Sequence, residues 1–422
     1  MCGKLVIQSE QEVAAMVERK GYLQQLLSWK DEQVIKVVTG IRRCGKSTLL
    51  QQYQKLLRGQ GVSDSQIIAI NFEDLEYESL LDYAALYRFI KERLQPDRMT
   101  YIFLDEIQKV PSFEKAVDSL YVQPNTDIYI TGSNAYLLSG DLATYLTGRY
   151  VEISMLPLSF REFVEATGLP VEQAFTEYGK SGSLPYVAVM DRTDEKVDAY
   201  LEGIYNTVIV KDIEDRQSRK ETDPKKRKVT DIVLLKTIAR YLASVIGSPV
   251  SIKSVADYLI SSGRKVSTNT VSDYMEALIE SYVFYPAERF DIVGKQLLKS
   301  NRKMYMVDLG LRNHILPRSR YDLGFSIENM VYFELLRRGY QVAIGKNGTA
   351  EVDFVARKQG ILTYYQVTAD LTAEETFERE MRPLRSIRDN YEKIILTLDR
   401  FTLGNYDGIK VVHVLDWLMG QA

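Results

Sequence analysis

Over the first third of the chain, apolar residues fall in short runs separated by polar or helically spaced stretches. Val34 to Val38, Gln66 to Phe72, Thr100 to Leu104, Asp127 to Thr131 and Arg149 to Met155 each read as a strand. Between them, Ser47 to Leu57 and Leu80 to Leu94 carry apolar residues at helical spacing. Strands that alternate with helices predict an α/β unit with a mainly parallel sheet covered on both faces. Ligands of such sheets bind beyond the C-terminal strand ends, so the polar residues there are where chemistry is to be sought.

The first run is followed by Thr39-Gly40-Ile41-Arg42-Arg43-Cys44-Gly45-Lys46-Ser47-Thr48, which fits the phosphate-binding pattern G-x-x-x-x-G-K-[ST] at every fixed position. Its glycines let the backbone wrap an anion, so that successive N–H groups and a helix N-terminus point at phosphate. Lys46 is placed to reach the β- and γ-phosphates, and the Ser47 hydroxyl to ligate Mg²⁺. Gly40, Arg42, Arg43, Cys44, Gly45, Lys46, Ser47 and Thr48 are therefore the nucleotide-binding candidates. A thiol at Cys44 would make that loop sensitive to oxidation.

The third run closes on Asp105 and Glu106. Mg²⁺ keeps most of its hydration shell and needs few carboxylates, a role suited to Asp105 beside Ser47. Glu106 is placed to orient or deprotonate an attacking water. The fourth run ends Thr131-Gly132-Ser133-Asn134, where Ser133 and Asn134 are both candidates to touch the γ-phosphate or the water. Arg149 opens the fifth run and carries a planar cationic fork suited to phosphate, within its own subunit or across to a neighbour. A structural ion pair is the alternative role for Arg149.

At 422 residues the chain has room for two or three domains. Cys2 and Cys44 are its only cysteines, too few for a disulfide framework or a zinc site, which points to a reducing cytoplasm. With two histidines, acid–base work falls to carboxylates, lysines or water. No apolar run is long enough for a membrane span or a signal peptide core. The net charge of −3 excludes a uniformly basic nucleic-acid coat. The clearest local excess is Arg216 to Lys228, with seven basic and two acidic residues, read as a solvated linker or a nucleic-acid-facing loop.

The phosphate loop, Asp105-Glu106, Thr131 to Asn134, Gly148-Arg149 and Leu156-Pro157-Leu158-Ser159-Phe160-Arg161-Glu162-Phe163 together resemble a large prokaryotic group of AAA+-type ATPases. That resemblance implies a P-loop NTPase core at residues 1–160, with a five-stranded parallel sheet and ATP and Mg²⁺ as its ligands. It also implies the roles given above for Lys46, Ser47, Asp105, Glu106 and Asn134. A helical lid and the basic linker follow at 161–230. Arg19 and Tyr22 stand where such proteins flank the base, although packing is the simpler role.

Residues 231–300 carry two capped helical patterns, from Ser251 and from Ser267, and then a strand from Phe284, an order that resembles a winged helix. Ser267, Thr268, Asn269, Thr270, Ser272 and Asp273 would form its recognition face. That face lacks arginine and lysine, so a protein-docking module and a DNA reader stand level; Arg289, Lys295, Lys299, Arg302 and Lys303 supply charge on the wing. Residues 301–422 resemble an α/β restriction-endonuclease-like domain, with Glu328 on a helix and Asp353 on a strand. Gln366 and Thr368 stand where that family has a carboxylate and a lysine, which implies a catalytically degenerate nuclease.

Two functions follow. One is an AAA+-type ATPase acting as a switch or motor, hydrolysis rearranging the winged-helix and nuclease-like domains. The other is a DNA-binding, nuclease-related protein in which ATP is regulatory. The expected partners are ATP, DNA, and a protein partner or further copies of the chain, with no membrane.

Overall fold

The β-branched run of β1 (Ile35–Thr39) is buried at every position, as a central strand of a sheet covered on both faces must be. The computed structural model describes residues 17–132, 146, 148–211, 231–316 and 323–421. Ser133, Asn134 and the basic stretch from 216 to 228 lie outside the described residues. The chain divides into two units, one ending at Pro157 and the other starting at Leu158.

In the first unit β1 lies in a sheet with β2 (Ile67–Asn71), β3 (Thr100–Asp105), β4 (Thr126–Gly132) and β5 (Tyr150–Ser154), in the order β2-β3-β4-β1-β5. All four pairings are parallel, which bears out the five-stranded parallel sheet. Helices α1 (Lys20–Ser28), α2 (Lys46–Gly59), α3 (Tyr83–Lys91) and α4 (Phe113–Tyr121) accompany it. The order puts β4 between β1 and β3, so the C-terminal ends of the first, third and fourth strands are neighbours. One face packs Ile35, Val37, Ile102, Leu104, Ile128 and Ile130 against Leu86, Ile90, Val117 and Leu120 of the helices. On the other, Phe103 and Tyr129 stack with ring centroids 4.9 Å apart.

The second unit begins with four helices, α5 (Phe160–Thr167), α6 (Val171–Ser181), α7 (Pro185–Val189) and α8 (Asp194–Tyr205). The expected break falls between α6 and α7, where Pro185 opens the new helix as proline at a first turn does. Next come α9 (Ile232–Ser244), β6 (Pro249–Val250), α10 (Ile252–Ser261), α11 (Thr268–Glu280), β7 (Phe284–Asp291) and β8 (Gln296–Met306). Ser251 and Ser267 cap α10 and α11 by accepting from the N–H groups of Ser254 and Thr270. The rest comprises α12 (Leu309–Ile315), α13 (Leu323–Arg337), β9 (Gln341–Asn347), β10 (Ala350–Lys358), β11 (Ile361–Thr368), α14 (Glu374–Arg385), β12 (Glu392–Thr397), β13 (Gly404–Tyr406), β14 (Ile409–His413) and α15 (Val414–Leu418).

The second unit's strands form one nine-stranded sheet, ordered β13-β14-β12-β11-β10-β9-β7-β8-β6. β7 pairs antiparallel with β8 and, from Arg289 to Asp291, parallel with Ile344 to Lys346 of β9. The expected division at 300/301 therefore falls inside β8, and the strands on either side of it share a sheet. Among the described residues no helix is long and apolar enough to cross a membrane.

Candidate active site

The loop between β1 and α2 is shaped by close approach. Gly40 has φ +142°, and a Cβ there would lie 2.1 Å from the Met155 carbonyl oxygen, so only glycine passes. Gly45, at φ +102°, leads into α2, and no side chain caps that helix. Its first N–H groups, with the positive end of the helix dipole, form the anion-binding end the motif requires. Lys46 is 4% exposed and its ammonium donates to the carbonyl oxygens of Gly40, at 3.1 Å, and Ile41, at 3.3 Å. Arg19 braces the loop from behind, its guanidinium donating to the carbonyls of Cys44 (3.1 Å), Leu156 (2.8 Å) and Pro157 (3.3 Å). It lies over the Tyr22 ring, whose hydroxyl accepts from the Leu156 N–H. Packing, the simpler role for Arg19 and Tyr22, is the one seen.

Arg42 pairs with Glu73, just beyond β2, at 2.9 Å, while Arg43 is exposed and left-handed at φ +67°. Cys44 is buried, and burial pushes its thiol up, with Lys46 and Arg19 pulling the other way. A buried, protonated thiol resists oxidation, which corrects the expected sensitivity.

Asp105 and Glu106, each 8% exposed, stand at the end of β3. Asp105 accepts from the hydroxyls of Ser47 and Thr131. Burial raises its pKa and those two bonds lower it. Thr131 also accepts from the Glu106 N–H at 2.9 Å, so one hydroxyl ties both acids to the end of β4. Glu106 is itself left-handed, at φ +55°, an unfavourable conformation for a non-glycine residue that often marks functional sites. The Gln108 amide donates to its carboxylate. Thr131 and Gln108 were not singled out from sequence. The signal available for Thr131 was its position as the last polar residue of the fourth apolar run.

Lys46, Ser47, Asp105 and Glu106 are thus brought together; Arg149 is not. Its carbonyl accepts from the Ile35 N–H, at the N-terminal end of β1, with Ile35 opposite Tyr150 and Thr39 opposite Ser154. Four residues of strand, about 13 Å, separate that end from the loop. Arg149 pairs with Asp118 of α4 and lies 5.4 Å from the Tyr121 ring centroid. The ion-pair alternative is the one observed, and a finger reaching the loop of its own chain is corrected.

A second polar cluster lies in the other unit. Lys303 of β8, 4% exposed, sets its ammonium 3.1 Å from Glu328, 3.0 Å from Glu351 and 3.9 Å from Asp353. The Tyr305 hydroxyl donates to Glu328 at 2.6 Å, and the Val367 N–H to Asp353 at 2.8 Å. Gln366 donates to Glu380 at 2.8 Å. Burial and the nearby Glu328 carboxylate push Asp353 up to about 8. Burial alone would lower Lys303, but Glu328, Asp353 and Glu351 more than offset it and leave it raised. Lys303 faces inward and is unavailable to phosphate, which corrects its place on the wing.

A family model described as an AAA domain matches residues 32–164, and a domain of unknown function, DUF8612, matches 172–322. The chain is 40% identical over 411 residues to an uncharacterized protein of Haemophilus influenzae, covering 96% of this chain and 99% of that one. It is 30% identical over 412 residues to an uncharacterized protein of Methanocaldococcus jannaschii, covering 90% of this chain and 85% of that one. Among solved structures, a Walker-type ATPase of Pyrococcus abyssi is similar at 15% identity and a TM-score of 0.49, over 71% of this chain and 96% of that one.

Proposed function

This chain belongs to one family with its two long relatives and matches an AAA domain over residues 32–164, and on that footing we propose that it is a Mg²⁺-dependent ATPase working as a conformational switch. The observation that carries the reading is the convergence of Lys46, Ser47, Asp105 and Glu106 on one end of the sheet, tied together by Thr131. Lys46 exchanges its loop carbonyls for the β- and γ-phosphate oxygens, against which its charge is worth more. Ser47 and Asp105, already hydrogen-bonded to each other, offer one hydroxyl and one carboxylate, a set that fits an ion keeping most of its water. That ion would supply neutralisation of the charge developing on the phosphates. Glu106 takes the proton of the attacking water and is freed for it when Gln108 releases the carboxylate. Asn134 contacts the γ-phosphate, and Arg149 serves a neighbouring copy if any copy.

What the switch moves follows from the second unit. The order α9, β6, α10, α11, β7, β8 supports a winged helix whose hairpin is built into the sheet of a degenerate nuclease-like domain. The lid, α5 to α8, is tied to the same body. Asp308, ahead of α12, accepts from the Ser183 N–H at 2.5 Å, and Asn313 donates to the carbonyls of Gly179 and Lys180 at 2.8 and 3.0 Å. A lid displaced by nucleotide carries the unit from Leu158 onward with it. The protein-docking role of the winged helix is favoured over DNA reading, because Arg264, which precedes the Ser267–Asp273 face in sequence, is paired with Asp231, and Lys303 is buried.

Glu106→Gln tests the ATPase: it should hold ATP as the wild type does while turnover falls by about 10²- to 10⁴-fold. Unchanged hydrolysis would sink the mechanism. A DNA mobility shift that weakens steeply with salt would favour the alternative, a DNA-binding protein regulated by ATP.

A further inference from the structure

The carboxylates that mark the nuclease-like domain already enclose a cation. Glu328 comes from α13, Glu351 and Asp353 from β10, and Lys303 reaches them from β8, a strand with no part in the expected nuclease motif. Its ammonium lies within 3.0–3.9 Å of all three acids and is almost wholly withdrawn from solvent. We propose that Lys303 holds, as a built-in ammonium, the place a divalent ion would take among these carboxylates, so that the cluster needs and admits no metal.

Two observations carry this. A divalent ion among the three acids would lie within a few ångströms of the buried ammonium of Lys303, and in an interior of low effective dielectric that repulsion outweighs the gain. Two of the acids also accept a further hydrogen bond from the protein, Glu328 from the Tyr305 hydroxyl and Asp353 from the Val367 N–H. The cationic group that Thr368 lacks has therefore not vanished; a positive charge enters from another strand and sits among the acids. The inference rests on the nuclease-like reading only for what the cluster is compared with.

The test uses the full chain carrying Asp105→Asn, without nucleotide, so that the ion site of the phosphate loop takes no part and a failed ATPase reading leaves the result untouched. MnCl2 alone is titrated by calorimetry and by thermal unfolding. With Lys303 present, no Mn²⁺ binding and no change in Tm are expected. Lys303→Met should lower the Tm by about 10 °C, as loss of one partner from a buried ion pair does. It should also gain a site for one Mn²⁺ that restores much of that loss, and Glu328→Gln added to it should abolish the site. Should Lys303→Met not fold, Lys303→Met with Glu328→Gln removes the cation together with the most buried of its three acids and should recover a cooperative transition; failure to recover overturns the charge-balance argument. Mn²⁺ binding by the protein with Lys303 in place, lost on Asp353→Asn, overturns the proposal. So does a Lys303→Met variant of unchanged Tm that binds no Mn²⁺. Metal-dependent DNA cleavage lost in Asp353→Ala would overturn both the proposal and the degenerate-nuclease reading.

Discussion

Thr131→Val removes the hydroxyl that joins the two acids of the proposed ATPase site while leaving volume and β-branching nearly unchanged. Two bonds go: the one donated to Asp105, a buried carboxylate, and the one accepted from the Glu106 N–H. A hydrogen bond to a charged group contributes about 1.5–3 kcal/mol and a neutral one about 1, with the orphaned buried N–H adding to the loss. The first unit should lose roughly 2–4 kcal/mol of stability to urea. Asp105 loses a donor that favours its ionised form, so its pKa, already raised by burial, rises further. The acidic limb of the pH–rate profile should move to higher pH. Glu106, no longer held at φ +55°, should lose alignment, and kcat should fall about 10- to 100-fold with the KM for ATP changed far less. Thr131→Ser keeps the hydroxyl and should stay near wild type. A Thr131→Val protein with wild-type kcat and an unmoved acidic limb would refute this role of Thr131 in tying Asp105 to Glu106.

Other outcomes follow from the same geometry. Lys36 and Asp127, both fully buried and 2.5 Å apart, form the ion pair at the opposite end of the sheet. Lys36→Met should cost about 3–5 kcal/mol, read by urea denaturation, and Lys36→Met with Asp127→Asn should recover part of it. Arg149→Ala removes a half-exposed ion pair worth under about 1 kcal/mol and should leave hydrolysis by dilute single copies unchanged; a fall there would mean the side chain reaches its own loop. Asp353, pushed up to about 8, binds a proton in the folded chain between about pH 4 and pH 8, where the unfolded chain has lost it. Stability of the second unit should therefore fall as pH rises across that window, and Asp353→Asn should flatten the dependence measured by thermal unfolding.

What the sequence showed and what it hid divide along one physical line. The phosphate loop and Asp105-Glu106 were legible because their meaning lies in position along one strand: an apolar run sets the strand, and the next residues fall at its C-terminal end. Arg149 fell at the wrong end for the same reason, since a residue that precedes a parallel strand lies away from the ligand edge. Thr131 was hidden because a hydroxyl at a strand end signals nothing until β3 and β4 are paired. Lys303 looked like a wing cation because charge in sequence suggests exposure. β8 is instead covered on both faces there, with Lys303 and Met304 adjacent and both buried. The nine-stranded sheet rests on the pairing of β7 with β9, some fifty residues apart, which no local pattern encodes.

In the proposed switch, ATP at the loop moves the lid and the body it is tied to as one. Hydrogen exchange on the Glu106→Gln protein, loaded with Mg-ATP and compared with Mg-ADP, tests it most directly. Protection should change together at 179–183 of the lid and at 308–313, across the Asp308–Ser183 and Asn313–Gly179 bonds, while the nine-stranded sheet stays protected. A lid that responds alone, or no difference between the two nucleotides at either segment, would contradict it.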